Sequence, residues 1–172
     1  MSDAPLLSVD RLSLALRTDR GDLPLVEQLS LQIDGSETLA LVGESGCGKS
    51  LTALALLGLL PNGIVQTGGE IRWRGRSLAS YSSADWRALR GEQIGMIFQE
   101  PMSALNPAYP VGAQIAEALR LHRPLSRSEA NLHSVAALAA VGIADPAVRA
   151  GQYPHQLSGG MRQRVMIAMA LG

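Results

Sequence analysis

Hydrophobic and polar residues alternate along the first forty positions with a period of two. Leu12, Leu14 and Leu16 share one face, Asp19-Arg20-Gly21-Asp22 supplies turn residues, and Leu29, Leu31 and Ile33 share a face again. This pattern predicts an antiparallel strand pair. Asp34-Gly35-Ser36 then turns the chain into Thr38-Leu39-Ala40-Leu41-Val42, a continuous apolar run that predicts a strand buried on both faces. Ser50 to Leu60 is apolar and helix-prone, and Ile71-Arg72-Trp73-Arg74-Gly75 returns as a short strand on which Trp73 packs against the small sheet. Ala84 to Arg90 reads as a short helix, and Ile94-Gly95-Met96-Ile97-Phe98 as a second buried strand ending at Gln99.

Beyond Gln99 the texture changes to loop and helix. Pro101-Met102-Ser103-Ala104-Leu105-Asn106-Pro107 is too punctuated for a regular element. Helices are expected over Val111 to Leu121 and from a Ser126…Glu129 capping box to Gly142, followed by a turn at Asp145-Pro146. Ser158 is a good N-cap for a last apolar helix running to Leu171, which opens on Gly159-Gly160. The organisation read from this pattern is α/β. Residues 1–99 form a β-subdomain with a loop-bearing core, 100–157 a strandless helical subdomain, and 158–172 a final helix.

Composition narrows the chemistry. With 172 residues, 47% of them hydrophobic, the chain can bury a substantial core, and a net charge of zero gives no electrostatic reason to expect nucleic acid. One cysteine, Cys47, excludes an internal disulfide and a cysteine-rich metal site. Met1-Ser2-Asp3-Ala4-Pro5 lacks the basic and apolar regions of a secretory signal. Residues 50–69 carry no charge, but Pro61-Asn62-Gly63 and Gly68-Gly69 break the run, so it reads as a core helix and not as a membrane span. A cytosolic protein is expected.

Of the 15 basic residues 14 are arginine, and the single lysine is Lys49. It lies in Gly43-Glu44-Ser45-Gly46-Cys47-Gly48-Lys49-Ser50, which fits G-x-x-x-x-G-K-[ST] between an expected strand and an expected helix. Glycines let backbone N–H groups approach phosphates, the helix start adds its positive dipole end, and a compact ammonium fits where a guanidinium would crowd. Ser158-Gly159-Gly160 reads as a second helix start open to an anion; taken alone such a start is ordinary, and its pairing with the loop makes it specific.

At these residues the chain resembles the nucleotide-binding subunit of ATP-binding cassette (ABC) transporters. Gly43–Ser50 matches the Walker A loop, Gln99 the Q-loop, and Leu157-Ser158-Gly159-Gly160-Met161 the signature, with Met161 in place of the usual glutamine. Met96–Pro107 and Tyr153–Gly160 resemble the oligopeptide, dipeptide and nickel importer branch. The resemblance implies a P-loop NTPase fold with an N-terminal antiparallel β-subdomain and an inserted helical subdomain. It also implies that Gly43 through Ser50, with Leu51, hold ATP, that Lys49 reaches its β- and γ-phosphates, and that Ser50 and Gln99 attend Mg²⁺. Leu157 to Met161 would complete a site on a second ATPase subunit. Further partners would be the transmembrane permease subunits and, indirectly, a periplasmic substrate-binding protein, with the chain peripheral on the cytoplasmic face of the inner membrane.

Two departures qualify the resemblance. No aromatic residue or histidine precedes Trp73, so an adenine base would meet aliphatic groups near Leu16 or Val26. The acidic strand, D-loop and switch histidine that follow the signature in the family have no counterpart within residues 1–172, and neither Asp10, Glu44, Glu100 nor Asp145 is placed to replace the acids. His122 and His133 read as surface residues, and His155 as a shaper of the turn before the signature. The catalytic set is therefore incomplete, with Lys49 and Gln99 as its contributors. The chain is expected to be the N-terminal part of such an ATPase, with Thr38–Val42 left uncovered. The alternative reading is a non-hydrolysing fragment that binds nucleotide or a partner.

Overall fold

The computed structural model describes residues 4–98 and 104–172, so Gln99 lies outside the described residues. The described residues fall into two compact units, one ending at Arg87 and one running from Ala88 to Gly172.

The first unit is built on an antiparallel sheet of four strands, β1 (Leu7–Thr18), β2 (Gly21–Ile33), β3 (Ile64–Trp73) and β4 (Arg76–Ser77), in the order β2-β1-β3-β4. Thr18 pairs with Gly21 across a two-residue turn, and the Thr18 hydroxyl donates to the Gly21 carbonyl at 2.6 Å. Leu7, Val9, Leu12, Leu14, Ile71 and Trp73 are buried from this sheet, whereas Leu16, Leu29, Leu31 and Ile33, which the alternation also places on shared faces, are half-buried.

At one level all three long strands are interrupted. Arg11 (φ 46°) in β1, Gln28 (φ 49°) in β2 and Gly69 (φ 78°) in β3 take left-handed backbone conformations where the pairing register shifts. Serine hydroxyls receive the amides freed there, Ser30 from Arg11 at 2.9 Å and Ser13 from Gln28 at 3.1 Å. Gly69 lies against the Arg11 carbonyl, where no Cβ has room.

Helix α1 (Lys49–Leu56) follows the glycine loop. It ends four residues before the expected Leu60. Gly58 takes φ 60°, its N–H bonds the Ala55 carbonyl, and the Leu59 N–H bonds the Leu54 carbonyl. A left-handed glycine closes the helix once these two bonds can form. Helix α2 (Ser83–Leu89) is opened by Ser82 and Asp85, whose carboxylate accepts from the Ser82 amide and hydroxyl and from both Arg76 Nη atoms at 3.0 Å.

The second unit packs α3 (Val111–His122), α4 (Arg127–Ala140), the short α5 (Pro146–Ala150) and α6 (Gly159–Leu171). Val111, Ile115, Leu119, Leu138, Ile143, Leu157, Val165 and Met166 meet in one core. The expected capping box is formed, with Ser126 Oγ accepting from the Glu129 amide at 3.2 Å and Glu129 Oε2 accepting from the Ser126 amide at 2.9 Å. Asp145 stands at the N-cap of α5 with φ 51°; its backbone carbonyl receives the Val148 and Arg149 amides, and no side-chain bond caps the helix.

Two expected strands are not formed. Residues 38–42 lie outside the sheet, with Leu39 and Leu41 each 42% exposed and Val42 89% exposed. Residues 95–98 are likewise irregular. Ile94 makes one isolated bridge to Arg90, while Ile97 and Phe98 are exposed. An apolar run states a demand for burial, but a strand exists only where a neighbour accepts its N–H and C=O groups. Thr38–Val42 thus presents the uncovered apolar faces expected of it.

Candidate functional site: a glycine loop and a glycine-opened helix

The loop Gly43–Ser50 joins residues 38–42 to α1. Gly46 (φ 86°) and Gly48 (φ 89°) both take backbone conformations that side chains resist. Gly48 is also confined from the sheet side, where an added Cβ would meet Val26 Cγ2 at 2.5 Å and the Leu25 carbonyl at 3.2 Å. The loop is thereby pressed onto β2 by the residue that starts its helix. Gly46 faces open space.

Lys49 points back into the loop. Its Nζ donates to the Gly43 carbonyl at 2.7 Å and the Glu44 carbonyl at 2.6 Å, and lies 3.3 Å from Cys47 Sγ. The ammonium is held by neutral acceptors that cost little to exchange for anionic ones. No side chain caps the start of α1, and Gly48 serves as its N-cap. A cation inside the loop, an uncapped helix start and glycine-only geometry fit a bound polyphosphate. Ser50 is exposed at the first turn and Leu51 is half-buried behind it. Thr52, which sequence reasoning missed, is buried, and its hydroxyl donates to the Gly48 carbonyl at 3.0 Å alongside its own amide at 2.8 Å. Its signal was a hydroxyl on the buried side of an otherwise apolar helix.

In the second unit α6 begins differently. Ser158 Oγ accepts from the Met161 amide at 3.3 Å, and the Ser158 carbonyl accepts from Arg162 at 3.0 Å. Gly159 and Gly160 have nothing within 4 Å of where a Cβ would stand. Glycine in a helix costs about 1 kcal/mol relative to alanine, and no contact within the described residues calls for it here. Leu157 is buried, and Met161 packs against the same helical core. The Met161 side chain is thus engaged by its own unit.

Arginines brace this end. Arg162 Nε donates to the Pro154 carbonyl at 2.8 Å, and Arg164 Nη1 donates to the Val141 carbonyl at 2.6 Å, lying over Gly142 (φ 73°) at the end of α4. A guanidinium there satisfies a terminal carbonyl and complements the helix dipole. His155 stacks on Tyr153 with ring centroids 5.7 Å apart in the turn before Ser158, while His122 and His133 are exposed. Trp73 is buried and not available to a ligand.

The fold and this pair of sites define a phosphate-loop nucleotide-binding cassette. The sequence profile of the ABC transporter family matches residues 26–172, and the chain belongs to that family. It is 50% identical to the uncharacterized ABC transporter ATP-binding protein YejF of Escherichia coli over 96% of this chain and 32% of that protein. It is 46% identical to the dipeptide transport ATP-binding protein DppD of Bacillus subtilis over 96% of this chain and 50% of that one. A Brucella abortus protein bearing the name of a peptide import ATP-binding protein is 48% identical over 99% of this chain and 52% of its own length. The chain therefore spans about half the length, or less, of these curated relatives.

Among solved structures the ATP-binding cassette MJ0796, in a dimeric post-hydrolysis state with ADP and Pi, superposes with a TM-score of 0.83 at 23% identity, covering 96% of this chain and 68% of that one. CbiO1 of Clostridium perfringens, described as part of the ABC transporter complex cbiONQ, gives 0.74 at 25% identity over 97% and 61%. Both support the cassette fold. No helix among the described residues is long and apolar enough to cross a membrane.

Proposed function

We propose that this chain is the ATP-binding portion of a subunit that energises ABC-type import of peptides, or of nickel, by ATP-driven dimerisation and hydrolysis. The observation that carries this reading is the loop Gly43–Ser50 closed on its own Lys49 ammonium through the Gly43 and Glu44 carbonyls. In this reading Lys49 exchanges those carbonyls for the β- and γ-phosphate oxygens of ATP, and the loop and first-turn N–H groups through Leu51 receive the remaining phosphate charge. Ser50 and Gln99 are assigned to Mg²⁺, which supplies charge neutralisation between the phosphates.

Leu157 to Met161 are assigned to the nucleotide of a second ATPase subunit, identical or paralogous. Support comes from Gly159 and Gly160, which stand open at a capped helix start, as a close approach by something outside the chain requires. With Met161 packed inward, the approach would be made to Ser158 and to backbone N–H groups. The names of relatives 46–48% identical support peptides as the cargo class. The permease would sit against the helical unit at the cytoplasmic face of the inner membrane, and a periplasmic binding protein would act through the permease.

Calorimetry with Mg-ATP, followed by ATP-dependent association with an intact DppD-type subunit and a phosphate-release assay, tests the reading. Binding, association, and turnover above that of the intact subunit alone, at the intact subunit's site completed by Leu157 to Met161, are the expected result for an energising subunit. Binding and association without that added turnover select the alternative, a non-hydrolysing nucleotide-binding or interaction fragment. Failure to bind ATP overturns both.

A further inference from the structure

Gln114 lies on the buried side of α3, 8% exposed, where helical periodicity calls for an apolar residue. Its amide is spent entirely on backbone groups. Oε1 accepts from the Asn106 N–H at 2.9 Å, while Nε2 donates to the Asn106 carbonyl at 2.9 Å and to the Tyr109 carbonyl at 2.9 Å. Asn106 Oδ1 accepts from Ala108 N–H at 3.0 Å within the same turn. One buried side chain therefore holds the turn Asn106–Tyr109 shut from inside, and Tyr109 remains 57% exposed at its end.

The turn is tied onward. The Val111 N–H donates to the Gln152 carbonyl at 2.9 Å, and Gly112 abuts Ala150 so closely that an added Cβ would stand 2.7 Å from its Cβ and 2.8 Å from its carbonyl oxygen. From Gln152 the chain enters a short turn in which Tyr153 N–H donates to Gln156 Oε1 at 2.8 Å and Leu157 N–H to the Pro154 carbonyl at 3.2 Å. That same carbonyl receives Arg162, and the next residues are Ser158, Gly159 and Gly160.

We infer that Gln114 is a positioning residue that registers the turn after Gln99 against the turn presenting Ser158, Gly159 and Gly160. Its functional meaning rests on the proposed role of that second turn, but the mechanical link does not. The position needs an amide because one acceptor and two donors are used at once. Glutamate keeps the bond from Asn106 N–H and loses both donations, whereas methionine keeps length and apolar bulk and loses all three.

Residue-level hydrogen exchange on the 172-residue chain tests the link without nucleotide. Gln114→Met is expected to speed exchange about tenfold or more at Asn106, Tyr109, Val111, Leu157 and Met161, with Ala130–Leu138 of α4 unchanged and Gln114→Glu intermediate. Acceleration confined to Asn106–Tyr109 would make the side chain a local staple and overturn the inference. Equal acceleration in α4 in both variants would make it a residue of general stability and overturn the inference as well. In parallel, ATP-dependent association with an intact DppD-type subunit should fall about tenfold in Gln114→Met at unchanged ATP affinity. Absence of association in the unsubstituted chain would count against the proposed function and leave the exchange result to decide Gln114.

Discussion

Two helices among the described residues open on glycine, and they use it for opposite reasons. At α1 the glycines are conformational: Gly46 and Gly48 take left-handed geometry, Gly48 is squeezed against Val26, and the loop wraps a cation. At α6 Gly159 and Gly160 are ordinary helical residues with open space around them, and a serine caps the helix. The first construction closes around its own lysine ammonium, and the second leaves a face clear. Their foundations differ too. The start of α6 stands on a closed helical core through Leu157 and Met161, whereas the loop before α1 is reached through exposed Leu39, Leu41 and Val42.

Lys49→Ala should show the largest effect. Removing a cation that makes charge-assisted bonds worth ~1.5–3 kcal/mol each should weaken Mg-ATP binding by about 100-fold or more, and unchanged affinity by calorimetry would sink the assignment of the loop. Ser158→Arg separates the two helix starts. It should leave ATP affinity of the chain intact while blocking association with an intact subunit, and loss of binding to the monomer would refute a role in trans.

Glycine-to-alanine substitution sharpens the comparison because its sign should reverse between the sites. Gly48→Ala forces a side chain into a left-handed residue at a cost of ~1–2 kcal/mol before the collision with Val26, so ATP affinity should fall about tenfold or more. Gly159→Ala gains up to ~1 kcal/mol of helix propensity with no collision, and melting of the helical unit should rise by up to roughly 4–8 °C. A fall in melting temperature for Gly159→Ala would show that the glycine has an internal role after all.

The smallest expected effect concerns acid. Hydrogen bonds from Arg76 and then Ser82 hold the Asp85 carboxyl far below its ordinary range, and bonds from Ser126 lower that of Glu129. Each folded pKa is depressed, so the stabilisation is fully present above the ordinary carboxylate range near pH ~4 and fades as pH falls through the folded values. Trp86 adjoins Tyr81, on whose ring Arg76 lies, so its fluorescence should follow loss of the Asp85 contacts in an acid titration. Arg76→Gln should move that change toward the ordinary carboxylate range, and an unmoved midpoint would count against the Arg76 contact as its cause.

Most of the architecture was legible in local pattern. Alternation at Leu12, Leu14, Leu29 and Leu31 gave the hairpin, Ser126 and Glu129 gave the start of α4, and Ser158 gave the start of α6. What failed was non-local. The apolar runs at 38–42 and 94–98 promised strands, but pairing depends on neighbours a local window does not contain. The glycine loop was legible because its spacing sets the left-handed Gly46 and Gly48 and the inward Lys49 that the fold shows. Thr52, Gln114, Arg162 and Arg164 were not, since each acts on backbone groups that tertiary folding brings to it.

The interruption shared by Arg11, Gln28 and Gly69 has a consequence for folding fidelity. A strand that slips by one residue ordinarily trades one set of good hydrogen bonds for another. Here slippage of β1 would carry Arg11 out of line with Ser30 and Gly69 together, and would bring a side chain against the carbonyl that only glycine can approach. The three offsets act as teeth of one key. They admit a single alignment of the sheet, and with it a single placement of Val26 beneath Gly48.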